Sequence, residues 1–214
     1  MHHDSILPDY AVLDPVVLYT LPDYQKKCTL MDALGQAIES YWSVAATAES
    51  RELAAQAIRG IINHWRGYIF RGDAQATLEI LRAANLAGQA IHITTTTAPH
   101  AMSYKLTTLY GLPHGHSVAL CLSRVWAYML TCADEWLLAV LEEIATCMGA
   151  ESSEEAVALL DAMMLEMKLV KPVAQHREQE LELLAKGVNV ERLGNHPVPM
   201  STEMLKKIYS EVVL

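Results

Sequence analysis

Thr29-Leu30-Met31-Asp32-Ala33-Leu34-Gly35-Gln36-Ala37-Ile38-Glu39-Ser40-Tyr41 is the stretch from which the fold class is read. Its apolar residues at 34, 37, 38 and 41 recur at intervals of three and four, the spacing that lines one side of an α-helix. Leu53, Ala54, Ala57, Ile58, Ile61 and Ile62 repeat the pattern. One amphipathic helix therefore follows another. Thr29, with Asp32 three residues on, has the form of a capping box, in which the acid bonds back to the backbone at the helix start. The first helix is accordingly expected to begin near residue 29.

Towards the N-terminus, residues 1–28 read as a lead-in. Tyr10-Ala11-Val12-Leu13, followed by Asp14-Pro15, has the composition of a short strand entering a turn. Towards the C-terminus, Gly67, Gly72 and Asp73 break the chain before an alanine-rich helix, Ala74 to Ala90, expected to be buried on several sides. The run Thr94-Thr95-Thr96-Thr97 disfavours helix through β-branching, and Pro99 suits a first turn, so a helix starts near Pro99 and ends before Gly111. Pro113 opens another, carrying Val118 to Trp126. Later joints fall at Met148-Gly149, Lys171-Pro172 and Asn195 to Pro199, and Ser201 to Val213 closes the chain as a short helix. The four tryptophans, 42, 65, 126 and 136, read as core residues. The expected fold is mainly α: a helical bundle over 29–214, behind a short N-terminal strand.

Composition narrows the function. A chain that is 52% hydrophobic and only 19% charged has the material for one sizeable core. A formal charge of -9, with scattered Lys and Arg, argues against a nucleic-acid partner. Apolar runs are interrupted well before the ~20 residues that span a bilayer, so no membrane partner is expected. Cys28, Cys121, Cys132 and Cys147 form no CxxC pair and read as reduced thiols of a cytoplasmic protein. The dispersed glycines form no phosphate-cradling motif.

Asp32 and Gln36, four apart, share a helix face from which a carboxylate and an amide oxygen reach one cation; capping is the competing role for Asp32. His100 lies in a presumed first turn, and His114 and His116 flank Gly115 at the head of the next helix. Two or three histidines with one carboxylate make a familiar metal set with an open position, while a lone histidine is more often an ordinary polar residue. About 15 Å separates positions ten apart on a helix, so bringing His100 to His114 requires a short helix or a loop that folds back. Ser103 and Tyr104 suggest proton transfer, and Lys105 suggests pairing with an anion.

Taken together, Leu7-Pro8-Asp9-Tyr10-Ala11-Val12-Leu13-Asp14-Pro15, Met31 to Tyr41, and Gly111-Leu112-Pro113-His114-Gly115-His116 resemble the group III, iron-containing alcohol dehydrogenases, which are related in fold to glycerol dehydrogenase and dehydroquinate synthase. The resemblance implies a dehydroquinate synthase-like helical domain that holds a divalent metal, Fe2+ or Zn2+, at Asp32, Gln36, His100 and His114. Gln36 stands where the family has histidine, which favours the three-ligand set of the glycerol dehydrogenase relatives. Tyr104 stands where many members have a further histidine. Ile93 to Thr108 and the surroundings of Ser43 are most similar to phosphonoacetaldehyde reductases, implying a small, phosphonate-bearing aldehyde received by Lys105 and the threonine run, while the Tyr104 phenol either donates to a carbonyl or packs. Family members carry a Rossmann-like domain for NAD(P)H ahead of the helices, and this sequence reads as lacking it. The expectation is a metal-binding chain that does not turn over alone and that forms a homo-oligomer over its exposed cleft face. Two other classes stand beside this one: a non-catalytic helical scaffold, and a cofactor-independent metal-dependent lyase or hydrolase.

Overall fold

The computed structural model describes residues 8–214. Residues 1–7, which include Leu7 of the first motif, lie outside that description. A 3-10 turn at Pro15–Leu18, with Asp14 accepting from the Val16 N–H, leads into α1 (Asp23–Trp42), α2 (Ala48–Arg66), α3 (Ala74–Thr94), α4 (Ala98–Tyr110), α5 (His114–Leu130), α6 (Glu135–Cys147), α7 (Ser153–Glu166), α8 (Arg177–Lys186), α9 (Val190–Leu193) and α10 (Thr202–Val212). A π-helical turn at Gly67–Arg71 extends α2 and ends at Gly72 in the left-handed region. The mainly helical class holds, and no helix among the described residues is long and apolar enough to cross a membrane.

The expected strand is not formed. Tyr10 and Val12 are 90% and 92% exposed in irregular backbone, because a strand needs a partner for its N–H and C=O groups and the described residues supply only helices. The helix start at residue 29 is also corrected. α1 begins at Asp23, with Pro22 in the cap position, and the Thr29 hydroxyl donates to the Gln25 carbonyl one turn back. Thr29 is therefore interior to the helix, and Asp32 is released from capping.

α1 is the axis of the bundle. It packs against α2, α3, α5, α6 and the start of α4, and from Leu30 to Trp42 almost every side chain is buried. The alanines of α3 serve one face rather than several: Ala76, Ile80, Ala83, Ala87 and Ala90 are buried at helical spacing, with partly exposed residues between them. Small side chains there let helices approach closely; a Cβ on Gly60 of α2 would sit 2.9 Å from that of Ala83. Trp42, Trp65 and Trp126 are fully buried, whereas Trp136 is 54% exposed and lies beneath the Arg51 guanidinium at 5.5 Å.

α3 ends where the threonine run begins. Thr95 has φ 60° and ψ 169°, a conformation that a β-branched residue adopts only when its surroundings hold it there. The hold comes from Asn195, a hundred residues away, whose Nδ2 donates to the Thr94 carbonyl at 2.7 Å and also reaches the carbonyl oxygens of Thr95 and Thr96. Asn195 is itself held by the Ser43 hydroxyl, which donates to its Oδ1 at 2.8 Å, and by the Val44 N–H, which donates to its carbonyl. The threonine turn, the end of α1 and the segment after α9 thus form one latched unit.

Candidate metal centre

Three helices converge on one cluster. Asp32 comes from the middle of α1, His100 from the first turn of α4, and His114 is the first residue of α5. Both imidazole Nε2 atoms lie 3.5 Å from Asp32 Oδ1, and one ligand atom from each residue falls within 4.8 Å of the others.

The loop does what the spacing demanded. α4 ends at Gly111 with φ 67°, and Gly111 to Pro113 turn back before α5 begins. Three extended residues reach back about 10 Å, roughly the rise of the seven residues between Tyr110 and Ser103. The Ser103 hydroxyl accordingly meets His114 Nδ1 at 3.2 Å, and the His100 and His114 rings lie 5.2 Å apart. Gly115 makes the approach possible, since a Cβ there would overlap the Cys28 carbonyl oxygen and stand 2.9 Å from the Asp32 Cβ.

Hydrogen bonding fixes what each group presents. Glu39, fully buried two helical turns beyond Asp32, takes the His100 Nδ1–H in a short contact, and its other oxygen accepts from the Thr97 N–H at 2.6 Å and the Thr97 hydroxyl at 2.8 Å. The Trp42 indole N–H donates to the same hydroxyl. The Ser103 hydroxyl donates to the His100 carbonyl, so its oxygen receives the Nδ1–H of His114. With Nδ1 engaged in this way, both rings turn their Nε2 atoms towards Asp32. Gln36 donates to Asp32 Oδ2 at 3.0 Å, which orients the carboxylate and leaves Oδ1 facing the histidines.

Asp32 Oδ1 and His100 Nε2 are buried without a hydrogen-bond partner. Three lone-pair atoms facing one another repel unless a cation or a proton lies among them. The electrostatics agree. Burial would lower the His100 pKa, but Glu39 and Asp32 override it and raise it to about 9. His114 is held below its ordinary value, mainly by burial, with His100 and Arg192 adding to the effect against Asp32. The donor set, two imidazoles and a carboxylate, suits zinc and divalent iron.

The cluster opens to the surface through a shallow cavity of about 150 Å³ lined by Gln25, Cys28, Thr29, Pro113 and Gly115 beside Asp32 and His114. Tyr104, 42% exposed, stacks on His114 with ring centroids 5.2 Å apart. The Lys105 stem instead packs over Gly187 at the end of α8. His116 turns away from the cluster, its Nδ1 2.8 Å from the Tyr24 hydroxyl. Glu39 and Arg192 were not singled out from the sequence as parts of the site, whereas Ser103, read there for proton transfer, hydrogen-bonds the His100 carbonyl and His114 Nδ1. Glu39 had a local signal, lying seven residues beyond Asp32 and hence on the same face of α1.

Residues 27–213 match the model of the Fe-containing alcohol dehydrogenase family, C-terminal. The chain is 28% identical over 216 residues to long-chain-alcohol dehydrogenase 1 of Geobacillus thermodenitrificans, covering 97% of this chain and 55% of that protein. It is 35% identical over 130 residues to phosphonoacetaldehyde reductase of Streptomyces viridochromogenes, covering 58% of this chain and 31% of the relative. Sulfoacetaldehyde reductase of Bifidobacterium kashiwanohense, solved with NAD+, superposes with a TM-score of 0.89 at 24% identity, over 98% of this chain and 55% of that one. The chain thus spans about half the length, or less, of the curated relatives it matches.

Proposed function

Because the chain belongs to the Fe-containing alcohol dehydrogenase family, we propose that it supplies the metal side of an NAD(P)H-dependent aldehyde reductase, with Asp32, His100 and His114 holding one Fe2+ or Zn2+. The observation that carries the reading is the convergence of Asp32 Oδ1 and the two Nε2 atoms, each 3.5 Å from that oxygen, with Asp32 Oδ1 and His100 Nε2 buried and without a hydrogen-bond partner. When bound, the cation supplies Lewis-acid polarisation of the carbonyl oxygen during hydride transfer.

The protein's own work is preorganisation. Glu39 and Ser103 fix the tautomers of the two histidines, and Gln36 fixes the carboxylate. Tyr104 covers one side of His114, and its hydroxyl accepts from Arg192, so its own proton remains available to a substrate oxygen. The substrate is a short aldehyde, and the relatives that act on phosphonoacetaldehyde and sulfoacetaldehyde suggest one with an anionic head. The nicotinamide belongs on the open side of the cluster. Four free thiols fit a reducing cytoplasm.

Thermal unfolding with and without zinc tests the reading. A ligand that binds only the native state raises the midpoint by mass action, so saturating zinc should raise Tm by several degrees in the wild type and leave Asp32→Asn unmoved. Equal responses in the two proteins would reject the assigned site.

A further inference from the structure

Arg192 stands at the edge of the cluster without a carboxylate partner among the described residues. Its Nη1 donates to the Tyr104 hydroxyl at 2.9 Å and to Thr96 Oγ1 at 3.1 Å, and its guanidinium carbon lies 4.9 Å from the Tyr104 ring centre. The contacts described for Arg192 employ only one of its nitrogens, and a guanidinium carries five N–H donors in a planar fork.

The position is built, although the side chain is exposed. Arg192 sits on α9, three residues before Asn195, and Asn195 locks that segment to the strained Thr95 turn and to the end of α1. Thr96, from the same turn, receives one of the arginine's hydrogen bonds. The strain is thus kept where it brings Thr96, Tyr104 and Arg192 together. Tyr104 in turn stacks on His114 at 5.2 Å, so two successive ring contacts place the guanidinium within about 10 Å of a candidate metal ligand.

We infer that Arg192, steadied by Tyr104 and Thr96, is the specificity-determining residue that receives the anionic head, a phosphonate or sulfonate, of a short aldehyde whose carbonyl lies at the Asp32, His100 and His114 cluster. The inference rests on the proposed function and adds to it the residue that selects the substrate. A fork of paired N–H donors matches the oxygens of a tetrahedral anion, and in a protein of charge -9 such an anion needs a local cation. The 10 Å bound limits the substrate to a few carbons. Lys105, the cation that the sequence suggested for this task, lies over Gly187 instead.

Calorimetric binding to the zinc-loaded chain tests this with 2-hydroxyethylphosphonate, 2-hydroxyethanesulfonate and the neutral 1,3-propanediol, on wild type, Arg192→Gln, Arg192→Lys and Lys105→Gln, with bound zinc measured on each sample. Wild type should favour the anionic alcohols about tenfold or more, as charge-assisted hydrogen bonds at a wet site allow. Arg192→Gln should erase that preference without weakening 1,3-propanediol, Arg192→Lys should keep part of it, and Lys105→Gln should keep all of it. A preference that survives Arg192→Gln, that disappears in Lys105→Gln, or that is missing from zinc-loaded wild type overturns the inference while leaving the metal reading intact. Wild type that takes up no zinc overturns the metal reading, and with it this one.

Discussion

His100 and His114 serve one cluster from different depths, and their removal should affect the metal-free protein differently. His100 is 2% exposed and pairs with fully buried Glu39, so His100→Ala strands a carboxylate in the core, at a cost of about 3 kcal/mol or more. His114 has a side chain 37% exposed, and His114→Ala should cost about 1 kcal/mol or less. Urea unfolding in the presence of a chelator should therefore show a clearly lower midpoint only for His100→Ala. His196 supplies a pH test outside the cluster. It packs edge-on to Trp42, and burial lowers its pKa to about 4. The unfolded chain, titrating near 6.5, binds the proton first, so stability falls as pH drops from about 6.5 to about 4, by up to about 3 kcal/mol. His196→Phe keeps a ring there and removes the proton site; its stability profile should be flatter across that window, and an unchanged slope would show that His196 does not set it.

Gly115 ties helix packing to the cluster at the scale of elements. Gly115→Ala must push the start of α5 away from Cys28 and Asp32, with an overpacking cost of about 1–3 kcal/mol and loss of zinc uptake, because His114 moves with the helix. Normal zinc binding by Gly115→Ala would show that the close approach is not required. The helices themselves were readable, since α2 to α5 and α10 start or stop at residues with evident physical reasons such as Asp73, Pro99, Gly111, Pro113 and Ser201. The start of α1 was not, because Asp23 to Lys27 carry no apolar stripe and Thr29 offered a cap that the helix does not use. The lead-in failed as a strand because local β preference cannot supply the neighbouring strand.

Across the whole molecule, Asp32 and His114 came from two short motifs and His100 from the turn after Pro99, but the long-range pairings that prepare them were not legible. Glu39 binds Thr97 and His100 some sixty residues away, and Asn195 grips Thr94 from about a hundred. Such pairings have no period to detect in a single sequence. Arg192 went unread for the same reason, as its position depends on that latch. The lead-in leaves Val16 and Val17 60% and 64% exposed, with Tyr10 and Val12 more so, and apolar surface of this kind favours self-association. Sedimentation velocity should show a homo-oligomer, and a strictly monomeric species across concentrations would contradict this. The central claim is the metal centre. Its most direct test is metal content by mass spectrometry on protein purified without chelator or metal-affinity resin, beside His100→Ala and His114→Ala. The account predicts about one equivalent of iron or zinc in the wild type and almost none in either variant; metal-free wild type, or metal retained in both variants, would contradict it.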